Sequence, residues 1–288
     1  RLPRARFAPQ GRYAVGRDDL VLVDPTRGTD PRGRQAARPD RTLPVRMLYP
    51  RAGDAGTTVG DGAEALRGRF PLMVFSHGLG SNGAEYEELM GAVAAAGYVV
   101  ALPTHPLSSG TGGSYLDVVN QPEDVTFVID SLLSLSGRSL AGAIDRRRIA
   151  VAGHSLGAVT SVGVTFHDRL RDDRVDAAIG YAGAQFDLGE GDYSDRPATP
   201  LLLVHGTRDR VLGIGQSDTI FEASRGPVDF LRLRGAGHVD IFFGDQGRLL
   251  LDATLAFLDA HLRDRPAALA DLPSQAGSSG FASWRSRG

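Results

Sequence analysis

One pentapeptide limits this chain more than any other feature. Gly153-His154-Ser155-Leu156-Gly157 stands between an apolar strand pattern, Ile149-Ala150-Val151-Ala152, and a breaker-poor run that reads as a helix to about residue 167. A serine held on so sharp a strand-to-helix turn must adopt strained backbone, and only glycines two before and two after it leave room for the close approach. The motif recurs by chance in Gly-rich chains, and this one has 37 glycines, so its surroundings must decide its meaning.

The surroundings alternate between strand and helix. Residues 71–76 are a continuous apolar run ending in His77-Gly78, the pattern of a strand buried on both faces. Residues 84–96 have helical spacing and stop at Gly97, and residues 98–102 read as the next strand. A helix over 122–135 starts on Pro122 in its first turn. Strands are expected at 148–152, 175–181, 201–204 and 228–233, with helices near 217–223 and 246–262. Two alternating runs, 19–24 and 43–49, read as an antiparallel edge pair ahead of the main sheet. The expected fold class is α/β, a mostly parallel eight-stranded sheet with helices on both faces and no large cap domain. Its active groups belong at the carboxyl ends of the strands. One domain is expected over 1–264, followed by an irregular tail over 265–288 that is rich in Pro, Ser, Gly and Ala.

A serine nucleophile needs a base, and His238 in Gly235-Ala236-Gly237-His238 follows the last expected strand. The imidazole needs an acceptor to fix its tautomer, and Asp209 lies just past a buried strand in His205-Gly206-Thr207-Arg208-Asp209. Asp187, one strand earlier, is the rival acid. His154 and His205 read as packing histidines with hydrogen-bonded nitrogens. Negative charge on an attacked carbonyl oxygen calls for two fixed N–H donors. Leu156, next to the serine at a helix N-terminus, supplies one, and Leu79 in His77-Gly78-Leu79-Gly80-Ser81 supplies the other. His77, Gly78, His105, Gln185, Phe186, Val211, Val239 and Phe242 are expected to border the substrate.

Several classes fall away on composition. The net charge of -2, with 32 basic residues that are all Arg and are scattered, gives no footprint for a nucleic-acid partner. Cys is absent, which removes both disulfides and a thiol nucleophile. No apolar run reaches the length of a membrane span. No metal and no cofactor is called for, and the expected partner is a small-molecule or polymeric ester. The chain is expected to be a monomer or weak homodimer, and a secreted location is favoured over a cytoplasmic one.

The order Ser155, Asp209, His238 is that of the α/β-hydrolases. Phe70-Pro71-Leu72-Met73-Val74-Phe75-Ser76-His77-Gly78-Leu79-Gly80-Ser81 further resembles the plasma-type platelet-activating-factor acetylhydrolases and their bacterial, dienelactone-hydrolase-like relatives. So do Leu43-Pro44-Val45-Arg46-Met47-Leu48-Tyr49-Pro50, Gln121-Pro122-Glu123-Asp124-Val125 and Ile144-Asp145-Arg146-Arg147-Arg148-Ile149, spread over residues 13–262. The resemblance implies a metal-free Ser-His-Asp esterase acting on short or acetyl-type acyl esters, with oxyanion donors at Leu79 and Leu156. Dienelactone hydrolases themselves use Cys, which this chain lacks. Cutinase-like polyester hydrolases have the same elbow, usually with an aromatic residue where Leu79 stands. Acyl transfer on the same scaffold is the other alternative. Only residues 182–199 separate two expected strands after the elbow helix, too few for a multi-helix cap, so an open groove is expected.

Overall fold

The structure is a computed structural model that describes residues 12–288 except 34–35, 56–57, 136–139 and 141. Its scaffold is one ten-stranded sheet in the order β10-β9-β8-β7-β6-β4-β5-β2-β1-β3. The central strands are β4 (Phe70–Ser76), β5 (Val99–Pro103), β6 (Ile144–His154), β7 (Ala177–Tyr181), β8 (Leu201–Gly206) and β9 (Val228–Leu233). They pair in parallel. At one end β2 (Arg41–Arg51) runs antiparallel to both β5 and β1 (Ala14–Asp24), the expected edge pair, and β3 (Thr58–Asp61) adds to β1.

Alternation along the strands explains why both faces need helices. On β4, Leu72 and Val74 pack on one side, among residues of α2 (Gln121–Leu133), α3 (Leu156–Phe166) and α4 (Gly215–Ala223). Met73 and Phe75 pack on the other, with α1 (Glu87–Ala95), α5 (Gly244–Leu262) and α6 (Leu272–Ser278). A parallel strand covered on both faces is apolar at every position, as Phe70 to Phe75 nearly is.

Two expectations need correction. The sheet has ten strands, not eight, because β3 and β10 (Ala282–Arg287) extend its two ends. The segment expected to be an irregular tail instead folds as α6 and β10, with β10 antiparallel to β9. Its sequence, Ala-Ser-Trp-Arg-Ser-Arg, has little strand propensity, and tertiary contacts supply what composition withholds. Ser286 donates to buried Asp229 on β9, while Arg285 and Arg287 reach Glu222 on α4.

The order of strands turns around between β6 and β4, and ligands of open α/β sheets bind beyond the carboxyl ends at such a turning point. Ser155 follows β6 there, and the His77–Gly80 loop follows β4 beside it. After β7, residues 182–200 run without helix or strand.

Candidate active site

Ser155 sits between β6 and α3 with φ 56° and ψ -118°, one of three described non-glycine residues at positive φ. Its N–H donates to the Tyr181 carbonyl at 2.9 Å, and its own carbonyl takes the Ala158 and Val159 N–H groups. The flanking glycines are steric necessities. A methyl at Gly153 would collide with the Gly157 carbonyl, and one at Gly157 with the Ser76 carbonyl. Gly183 likewise has Ala158 where a side chain would stand. The turn is this tight because three backbone segments meet at it.

Asp209 and His238 come together at the ends of β8 and β9. His238 Nδ1 lies 2.6 Å from Asp209 Oδ2, while the N–H groups of Val211 and Leu212 donate to Oδ1 at 2.8 and 2.9 Å. Burial works to raise the Asp209 carboxyl, but the bonds from His238, Leu212 and Val211 outweigh it and hold the group below its ordinary range. The rival Asp187 is exposed and accepts the Gly189 N–H, closing its own turn.

Loop 77–81 runs against the elbow: a methyl on Gly78 would stand 3.3 Å from Ser155 Cβ. Gly80 N–H donates to the Ser108 carbonyl and Gly78 N–H to the Tyr86 hydroxyl, which leaves the Leu79 N–H unspent. Among the described residues, neither the Leu79 N–H nor that of Leu156, at the first position of α3, has a protein acceptor.

The expected substrate-bordering residues divide into two groups. Val211 and Val239 are exposed, as is the oxyanion candidate Leu79; Gln185 and Phe186 are half-buried, Gln185 being held by Arg196, and Gly78 is buried against the elbow. By contrast, the side chains of His77, His105 and Phe242 lie in the interior, contrary to expectation. His77 donates from Nδ1 to the Gly78 carbonyl and accepts the His105 N–H at Nε2; burial, helped by neighbouring His105, takes it down to about 3. Phe242 packs edge-on against His154, Tyr86 and Tyr181 beneath the elbow. Strand-end position marked these residues, but burial depends on what packs over them, which spacing does not report.

His105 belongs to an array that superficially repeats the candidate chemistry. Its Nε2 lies 3.2 Å from Ser76 Oγ and its Nδ1 2.9 Å from Asp124 Oδ2. All three side chains are sealed from solvent, and Arg41, itself buried, clamps Asp124 and also Asp117. This set knots loop 104–120 to β2 and α2 and has no route to a substrate.

The residues that sequence reasoning missed are Tyr86 and Ser217. Tyr86 donates to His154 Nδ1 at 2.8 Å, and His154 Nε2–H donates to the His238 carbonyl at 3.0 Å. That chain links the Gly78 loop, the elbow and the loop of His238. Burial, aided by His238, presses the His154 ring down to about 3, so it stays neutral. No spacing rule would have found Tyr86, since it reads as one more apolar position of a helix.

Sheet order, elbow and loop placement define an α/β-hydrolase. The comparisons narrow this by likeness. A family model described as chlorophyllase matches residues 63–181. A solved structure, a ferulic acid esterase from Streptomyces cinnamoneus, is similar over 99% of both chains, at 26% identity and a TM-score of 0.73. The chain is a carboxylic-ester hydrolase. No curated protein matches the chain. Among the described residues there is no cluster of three or more His, Cys, Asp or Glu set to hold a metal ion. Among the same residues no helix is long and apolar enough to cross a membrane.

Proposed function

We propose that Ser155 is the nucleophile, His238 the base and Asp209 the acid of this esterase. His238 takes the Ser155 hydroxyl proton as Oγ bonds to the ester carbonyl carbon, and the Leu79 and Leu156 N–H groups hold the oxygen that gains charge. The proton then passes from His238 to the departing alkoxide, which leaves as alcohol. Water attacks the acyl-serine by the same route in reverse, releasing the carboxylic acid and restoring Ser155. The observation that carries this reading is the 2.6 Å His238–Asp209 bond at the sheet edge that presents the strained Ser155.

The surroundings favour a bulky apolar ester over a short acetyl-type one. Exposed Leu79, Val211 and Val239 stand on the loops that carry the donors, the acid and the base. Exposed Tyr115, Leu116 and Val119 lie on the 3-10 turn Tyr115–Asn120. Partly buried Phe186 and Leu212 pack over a small buried cluster of Val118, Leu156, Val159, Ala184 and Leu188 at the N-terminal end of α3. The same features suit an aromatic acid, in keeping with the likeness to a ferulic acid esterase.

The test is a series of p-nitrophenyl esters from acetyl to octanoyl, with methyl ferulate and a suspended polyester alongside. Rates that rise with acyl size or favour the ferulate support the reading; activity confined to acetyl supports the short-ester alternative. Ser155→Ala should lower kcat by about 10⁴-fold or more, and a variant that still turns over at the parent rate removes Ser155 from the mechanism. Ester products formed when ethanol is added would report acyl transfer.

A further inference from the structure

We infer that His205 is a positioning residue for the acid: with Ser217 behind it, it shares Asp209 Oδ2 with His238 and fixes that carboxylate in place. The inference rests on the triad reading above. Sequence alone treats His205 as packing, because it ends β8 before the acid appears.

The geometry assigns every proton. His205 Nε2 faces two groups that can only accept: Asp209 Oδ2 at 3.0 Å and the Leu212 carbonyl at 2.8 Å. It therefore carries the hydrogen. Nδ1 lies 2.7 Å from the Ser217 hydroxyl in the first turn of α4. Both His205 and Ser217 are fully buried, and burial keeps the ring neutral, so Nδ1 accepts the serine hydrogen. Asp209 and the Leu212 carbonyl thus set the tautomer of His205, and Ser217 satisfies the nitrogen left without a hydrogen.

Asp209 consequently accepts four N–H bonds, two on each oxygen: Val211 and Leu212 on Oδ1, His205 and His238 on Oδ2. Turning the carboxylate about its own axis would break all of them together. Three of the four come from the 205–212 segment itself, so the acid is oriented before His238 arrives. His238 then meets a fixed acceptor that holds its hydrogen on Nδ1 and leaves Nε2 as the lone pair for Ser155. The array Ser217–His205–Asp209–His238 joins α4 to the loop after β9 across the end of β8.

The experiment compares His205→Leu, His205→Gln, Ser217→Ala and Asp209→Asn. Rates are expressed per active serine titrated with a fluorophosphonate, so that a loss of folded protein does not register as a loss of rate. A Leu leaves Oδ2 and the Leu212 carbonyl short of a donor, and kcat per titrated site should fall ~10–100-fold with KM within about twofold. Gln places an amide N–H near the former Nε2 and should recover to within about fivefold of the parent. Ser217→Ala, which removes the hydrogen bond that Nδ1 accepts and frees the ring to shift, should lose about three- to tenfold. An unchanged rate per site in His205→Leu, or a Gln variant as impaired as Leu, overturns the inference. If His205→Leu yields no folded protein, parent activity in Ser217→Ala does so instead. Asp209→Asn separates the two levels: parent activity there removes the triad reading, whereas a dead Asp209→Asn with a normal His205→Leu removes this inference alone.

Discussion

The backbone at Ser155 costs about 1–3 kcal/mol to hold in its positive-φ turn, and the glycines around it are what the packing concedes in return. Gly157→Ala should therefore be damaging. Its methyl meets the Ser76 carbonyl and lies 2.8 Å from the His77 carbonyl, both backbone groups that cannot swing aside. A loss of about 2 kcal/mol or more in urea unfolding is expected, with esterase activity falling alongside. Gly91, in the middle of α1, has nothing within 4 Å of an added methyl and a negative φ. Gly91→Ala should stabilise by about 0.5–1 kcal/mol, and a destabilised variant would refute this account of which glycines are obligatory. At this scale much was readable in the sequence. Ser155, Asp209 and His238 stand in a fixed chain order, and the glycines flag the elbow. What was not readable is orientation: His105 and Phe242 also follow strand-like segments, yet they face inward, and Ser217 carries no motif at all.

Among the elements, loop 104–120 is tied to β2 and α2 by a buried ion network as well as by Leu107 and Val118. Arg41, on β2 and 1% exposed, bridges Asp124 on α2 and Asp117 on the adjoining 3-10 turn. Arg41→Met would strand two buried carboxylates without their main cation. A loss of ~3–5 kcal/mol is expected from removing one partner of a buried pair, read as a lowered urea midpoint. A near-neutral result would mean that Arg27, which also contacts Asp124, suffices. Periodicity located α2 and the parallel strands because their cores are apolar on a regular repeat. It missed β10, which packs only Ala282 and Trp284 against the core and draws its other partners from Asp229 and Glu222. Elements fixed by long-range polar contacts leave no periodic trace.

For the whole molecule, buried neutral histidines make acid the weak side. His77 and His154 are pressed down to about 3 in the fold, so both stay neutral where an unfolded chain would protonate them. Their folded values lie below the unfolded one, so the stability they contribute is complete above about pH 6.5 and declines as pH falls toward 3. Each contributes a slope of ~1.4 kcal/mol per pH unit in that window. Asp124 and Asp172, also held low once their partners outweigh burial, add to the loss at still lower pH. Asp176 and Asp229, raised by burial, act in the opposite sense. Thermal unfolding should therefore shift markedly downward between pH 7 and 4.5, and a flat profile would mean that the two rings can be protonated in place. The plain stretch after β7 has a separate consequence. Residues 182–200 hold no helix that could serve as a lid, so on the proposed mechanism that segment would not shut water away from an acyl group on Ser155. An alcohol competing for that acyl group would then meet water as its rival, and the expected balance of each turnover lies toward the free acid.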